Sequence, residues 1–196
     1  MNKPEKFHGK YRIPTARAQW HNYNGGTYFV TICTKDKCHY FGEIYGGKMH
    51  LSHIGNMAIE NLNNLQSHYP YAEVPLFVIM PNHIHAIIFI NTSDVETIYT
   101  SSPRQLSEQR RWKTVTVNER MRQISYKRGA LSVAVSGFKR AITHFAHQNG
   151  ILFAWQPRFH DHIIRNLHEL NKIADYIENN VARWDMDTFN DERPKQ

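Results

Sequence analysis

The sequence predicts a single α+β domain. Four short runs rich in β-branched and aromatic residues, at 28–34, 74–80, 83–90 and 159–165, read as strands. Three stretches, at 53–68, 131–148 and 169–181, carry apolar residues at helical spacing. A chain of 196 residues is long enough for one proper core and short for a second full domain. No stretch reaches the roughly 20 apolar residues of a membrane span, and the N-terminal MNKPEKFHGKYRIP has no apolar signal core. Only Cys33 and Cys38 are present, without the spacing of a zinc or redox motif, which fits a reducing cytoplasm.

Residues 1–26 form a polar basic arm, with five Lys or Arg against Glu5, ending at the turn signal Asn24-Gly25-Gly26. A strand at 28–34, YFVTICT, follows, then a hairpin at 42–52 turning on Gly46-Gly47. The helix at 53–68 presents Ile54, Ala58, Leu62 and Leu65 as an ordinary core face. From 91 to 129 the chain is polar, with eight basic against four acidic residues, and reads as an inserted surface loop. The helix at 131–148 has Val135, Phe138, Ile142 and Phe145 in its stripe and stops at Gly150. The main domain is therefore expected at 27–187, and 188–196 is a tail.

The most apolar stretch, VPLFVIMPNHIHAIIFI at 74–90, carries His83 and His85 at its middle. Alternation along a strand puts both imidazoles on one face, with Ile84 on the other. The bland alternative is a partly exposed pair of strand histidines. An otherwise apolar strand gains nothing from two histidines on one face unless they hold a ligand, and imidazole is the commonest metal-binding side chain. His160 and His162 repeat the pattern, so the residues alone leave open which pair binds metal. A net charge of +7 and 12% aromatic residues point to a polyanionic partner, nucleic acid before membrane.

Several motifs stand in a telling order. Met80-Pro81-Asn82-His83-Ile84-His85 is followed by Trp155-Gln156, then His162-Ile163-Ile164-Arg165, then Glu169-Leu170-Asn171 leading into Tyr176-Ile177-Glu178-Asn179-Asn180. With YFVTICT and FGEI upstream, this set resembles the REP-associated tyrosine transposases, relatives of the single-tyrosine transposases that mobilise insertion sequences as single-stranded DNA. The resemblance runs from about Tyr11 to Asp187. It implies a ferredoxin-like antiparallel sheet with helices packed on one side. The His-hydrophobic-His (HUH) motif would lie on a central strand and the nucleophilic tyrosine on a C-terminal helix.

By the same resemblance His83 and His85 match the metal-binding pair, Asn180 the amide-bearing third ligand and Tyr176 the nucleophile. A divalent cation, Mg2+ or Mn2+, is implied, although a His, His, amide set by itself favours a softer transition ion. Where Asn-Pro is expected after the tyrosine this chain has Asn180-Val181, so the helix end is expected to differ. The implied activity is metal-dependent cleavage and rejoining of single-stranded DNA at palindromic repeat hairpins through a 5′-phosphotyrosine, by a monomer, with a dimer as the alternative. Candidate DNA contacts are Arg12, Arg17, Lys139, Arg140, Arg158, Arg165 and Arg183, with Trp184 to stack an unpaired base. Two other readings remain: a hairpin-binding protein that does not cut, and a metallohydrolase using four histidines, which the basic charge and the lack of carboxylate ligands disfavour.

Overall fold

The structure is a computed structural model that describes residues 21–95 and 129–190. The arm to residue 20, most of the expected insertion and the last six residues lie outside it, and so do Arg12 and Arg17. In chain order the elements are β1 (Gly26–Cys33), β2 (Gly42–Tyr45), β3 (Lys48–Leu51), α1 (His53–Asn63), α2 (Leu65–His68), β4 (Ala72–Ile79), β5 (His83–Ile90), α3 (Ala130–Gln148), β6 (His160–Ile164) and α4 (Leu167–Glu178). A 3-10 segment, Val181–Met186, continues from α4.

Four strands form an antiparallel sheet in the order β4-β5-β1-β6. With α1 between β1 and β4, and α3 between β5 and β6, this is the split β-α-β arrangement. β1 and β5 are the central pair, in register from Gly26 opposite Ile90 to Cys33 opposite His83. β2 and β3 stand apart as a hairpin, whose Gly46 and Gly47 take φ of +58° and +71°, the left-handed pair that matches strand twist. On β4 the register shifts between Glu73 and Leu76, the stretch that holds Pro75, which has no N–H for the ladder. The expected helix at 53–68 is interrupted at Asn64, whose backbone and side-chain N–H groups both donate to Glu60 O and close α1.

Alternation sorts the sheet into two apolar faces. Tyr28, Val30 and Ile32 of β1 and Ile84, Ala86 and Ile88 of β5 meet Ile54, Ala58 and Leu62 of α1 and Leu131, Val135, Phe138 and Ile142 of α3. On the opposite face Phe29, Ile87, Phe89 and Ile164 meet Leu170, Ile173, Ala174 and Ile177 of α4. The helices are therefore not all on one side, as the resemblance implied. β5 is apolar on both faces, and a strand of that kind has to be covered twice.

Local chemistry fixes α4 against that second face. Its N-cap Asn166 accepts from Glu169 N at 2.9 Å, and the Glu169 carboxylate accepts in return from Arg165 N at 2.8 Å. At the other end, with Val181 in place of proline, the chain tightens into the 3-10 segment, where Arg183 N donates to Asn179 O and Asn180 O. Among the described residues no helix is long and apolar enough to cross a membrane.

Ile177 is the buried anchor of α4, in a cluster that shares no residue with the larger core. Ile177→Ala should destabilise the protein by about 2–5 kcal/mol and Ile177→Val by about 0.5–1.5 kcal/mol. Urea unfolding monitored by circular dichroism reads both.

Candidate metal centre

β5 directs His83 and His85 to the face covered by α4, beside Ile87 and Phe89. Their exposures are 0% and 2%. Hydrogen bonds set the His83 tautomer. Asn82 Nδ2 donates to Lys37 O and Phe189 O, which leaves Asn82 Oδ1 to accept from His83 Nδ1–H at 2.8 Å. The lone pair of His83 thus sits on Nε2, which is buried and has no hydrogen-bond partner. His85 Nε2 is hydrogen-bonded to the Tyr176 hydroxyl at 3.2 Å and Nδ1 to Thr31 Oγ1 at 2.9 Å; a cation on Nε2 requires the tautomer in which Nδ1–H donates to Thr31.

Burial also sets the charge of the pair. Desolvation, reinforced by the charges of His85 and Lys37, holds His83 well below the usual histidine range. Desolvation alone brings His85 to about 4. Both rings are neutral near pH 7, and a cation would not compete with protons for their lone pairs.

Two more groups converge on the rings. Asn180, one turn beyond Tyr176, is 2% exposed, and its Oδ1 has no hydrogen-bond partner. Asp187 Oδ2 lies 3.8 Å from His83 Nε2, and one ligand atom from each of His83, His85 and Asp187 falls within 4.8 Å of the others. The other Asp187 oxygen accepts from Phe189 N at 2.8 Å, which orients the carboxylate. A bare lone pair in the interior costs about 1–3 kcal/mol. A divalent cation held by His83, His85 and Asp187 would satisfy the His83 Nε2 orphan, so the residues fit a metal, and the second orphan, Asn180 Oδ1, belongs to the side chain that hydrogen-bonds Tyr176. The Asp187 carboxylate adds the hard oxygen that magnesium and manganese prefer and that the sequence reading lacked.

Tyr176 is 38% exposed, and burial raises its phenol above the ordinary tyrosine value; Asn180 lowers it in part and the Asp187 charge raises it. The phenol is protonated at neutral pH. With Nδ1–H toward Thr31, the one lone pair of His85 Nε2 can serve either the phenol or a cation. The opposite side of the site is closed. Phe189 packs on His83 with ring centres 4.5 Å apart, and Lys37 Nζ donates to Thr188 O at 3.2 Å.

The sequence-predicted residues fall into two groups. His83, His85, Tyr176 and Asn180 come together, and Asp187 joins them. No motif marked Asp187; its only signal was an acidic residue shortly after the tyrosine helix. The DNA-contact candidates are scattered. Lys139 Nζ donates to Gln156 O at 2.9 Å and Arg158 O at 2.8 Å and lies over Trp155, so two of its donors serve the backbone. Arg140, Arg158, Arg165 and Arg183 are exposed. Trp184 is 6% exposed and packs on His39 and His83, so it walls the site instead of offering a face to a base. His160 pairs across from Thr31 and His162 from Phe29, which puts both on the metal face but two strands from β5. His162 is engaged by Glu169 at 2.7 Å.

No protein-family model matches the chain. Over 185 residues it is 32% identical to an uncharacterized protein of Haemophilus influenzae, covering 91% of this chain and 93% of that one. The chain belongs to the family of that protein. In fold it is similar to a REP-associated tyrosine transposase solved bound to a REP hairpin, with a TM-score of 0.51, 17% identity, and coverage of 87% of this chain and 74% of that one. That likeness is one of fold.

The sign of the pH dependence follows from the buried rings. His85 titrates at about 4 when folded and near 6.5 when unfolded, so acid protonates the unfolded chain first. Its contribution is full above pH 6.5 and is lost on falling to about 4, by up to about 3 kcal/mol. Metal-free protein unfolded in urea across that range should show the fall, and His85→Gln should show a shallower one.

Proposed function

We propose that this chain is a metal-dependent single-stranded DNA endonuclease and strand transferase that uses Tyr176 as its nucleophile. The observation that carries the reading is the Tyr176 hydroxyl 3.2 Å from His85 Nε2, beside two orphaned buried lone pairs, on a transposase-like fold. His83, His85 and Asp187, with Asn180, would hold the cation, with magnesium or manganese favoured by the carboxylate and amide oxygens. When bound, the ion would polarise the scissile phosphate and offset the charge that builds on it.

This chain's own residues supply the rest. α4 fixes the Tyr176 oxygen at the open side of the site, with Phe29 against its ring at 6.1 Å. That oxygen attacks phosphorus in line; the P–O bond to the tyrosine forms and the bond to the 3′ oxygen breaks. The products are a 5′-phosphotyrosine and a free 3′-hydroxyl, so rejoining needs no nucleotide cofactor. The phenol must lose its proton on the way. The Asn180 amide is the neighbour that favours the phenolate.

Hairpin DNA is the proposed substrate, since the solved transposase of similar fold is bound to one. A monomer suffices, because the tyrosine and the ligand set come from one chain.

Labelled single-stranded hairpins from palindromic repeats near the gene, incubated with manganese or chelator, test this on denaturing gels. The expected result is a manganese-dependent adduct shifted by the mass of the protein. Tyr176→Phe and His83→Ala should lose the adduct, and Tyr176→Phe should keep hairpin binding on native gels. Native shifts with no adduct from the unaltered protein would assign it to hairpin binding alone. Adducts from Tyr176→Phe would exclude Tyr176 as the nucleophile.

A further inference from the structure

Lys172 and Tyr176 are four residues apart, so they share one stripe of α4 at about 5.4 Å per turn, and Asn180 follows just beyond the helix end. The Tyr176 end of the stripe is the site described above. The Lys172 end opens on a cleft of about 440 Å3, floored by Phe29 and Ile173 and rimmed by His162, His168, Glu169 and Lys172. Phe29 joins the two regions. Its ring stacks on His85 with centres 5.1 Å apart, stands edge-on to Tyr176 at 6.1 Å, and also lines the cleft.

The cleft has a defined chemistry. Both oxygens of Glu169 are engaged, one by His162 Nε2 at 2.7 Å and the other by Arg165 N at 2.8 Å. Both Glu169 oxygens thus have partners within the protein, and Lys172 and His168 are exposed at the rim, with the Lys172 ammonium as the cation there. A flat aromatic and aliphatic floor with a basic rim suits a base and its phosphodiester. The volume is in the range of small-molecule pockets and has room for one nucleotide.

We propose that this cleft seats the unpaired nucleotide adjoining the phosphate that faces Tyr176. Its base lies against Phe29 and Ile173, and its phosphodiester meets Lys172 one helical turn from the tyrosine. The proposal rests on the reading of Tyr176 as a nucleophile toward single-stranded DNA, whose substrate it makes more specific.

The test is fluorescence anisotropy with a labelled four-nucleotide thymidine strand, in chelator and across a salt series. The variants are Lys172→Ala, Lys172→Arg, His168→Ala and, as a control on the separate hairpin, Lys48→Ala. Thermal melts verify that each variant is folded. Lys172→Ala should weaken binding at least fivefold and flatten the slope of log K against log salt by about 0.7, the contribution of one single-strand phosphate. Lys172→Arg should retain most of the affinity, and His168→Ala should weaken it less than Lys172→Ala. No binding by the unaltered protein, an unchanged Lys172→Ala, or an equal loss in Lys48→Ala would overturn the cleft. The two readings fail separately. Tyrosine adducts combined with unaffected binding by Lys172→Ala would remove the cleft and leave the nuclease. Lys172-dependent binding without adducts would do the reverse.

Discussion

The site depends on two imidazoles being taken out of water on a strand that is apolar on both faces. β5 cannot leave either face exposed, so α1 and α3 cover one and α4 the other. The second cover is what brings Tyr176 to His85. Desolvation then holds both rings neutral, and the Asn82 amide fixes the His83 tautomer, so that ligand lone pairs point into the space under α4. Packing, protonation state and ligand geometry thus have one cause. The cost is concentrated in two atoms, His83 Nε2 and Asn180 Oδ1, each buried without a hydrogen bond. Buried polar atoms are so seldom left bare that the His83 Nε2 orphan, within reach of His85 and Asp187, points to a ligand.

Asymmetry follows from the way the chain leaves α4. The 3-10 segment and the turn after it fold back over His83, bringing Asp187 to the ligand set and Phe189 onto the ring. Asn82 and Lys37 tie that turn down through the carbonyls of Phe189 and Thr188. One side of the site is closed by the protein itself. The open side is that of Tyr176, Phe29 and the cleft beyond, the side from which the proposed DNA strand would reach the tyrosine oxygen.

Much of this was legible in the residues, and the limits have physical reasons. Strand alternation placed His83 and His85 on one face, and helical spacing put Tyr176 and Asn180 one turn apart, because both follow from local geometry. The family resemblance that the motifs carry implied the antiparallel sheet. The second helical layer was missed, although the near-continuous apolar run of β5 carries its signal. Asp187 was missed because it reaches the site through a turn that no local pattern specifies. Trp184 was expected to stack an unpaired base, whereas the 3-10 segment turns it inward against His83. The break at Asn64 escaped notice because the apolar stripe continues across it to Leu65.

The central claim is that His83, His85, Asp187 and Asn180 form one divalent-metal site beside Tyr176. Titration of the protein with Mn2+ at pH 7, with the free ion followed by electron paramagnetic resonance, tests it most directly. The account predicts a single site in the unaltered protein, its loss in His83→Ala, and weaker binding in Asp187→Asn and Asn180→Ala. Binding that survives unchanged in His83→Ala, or no binding by the unaltered protein, would contradict it.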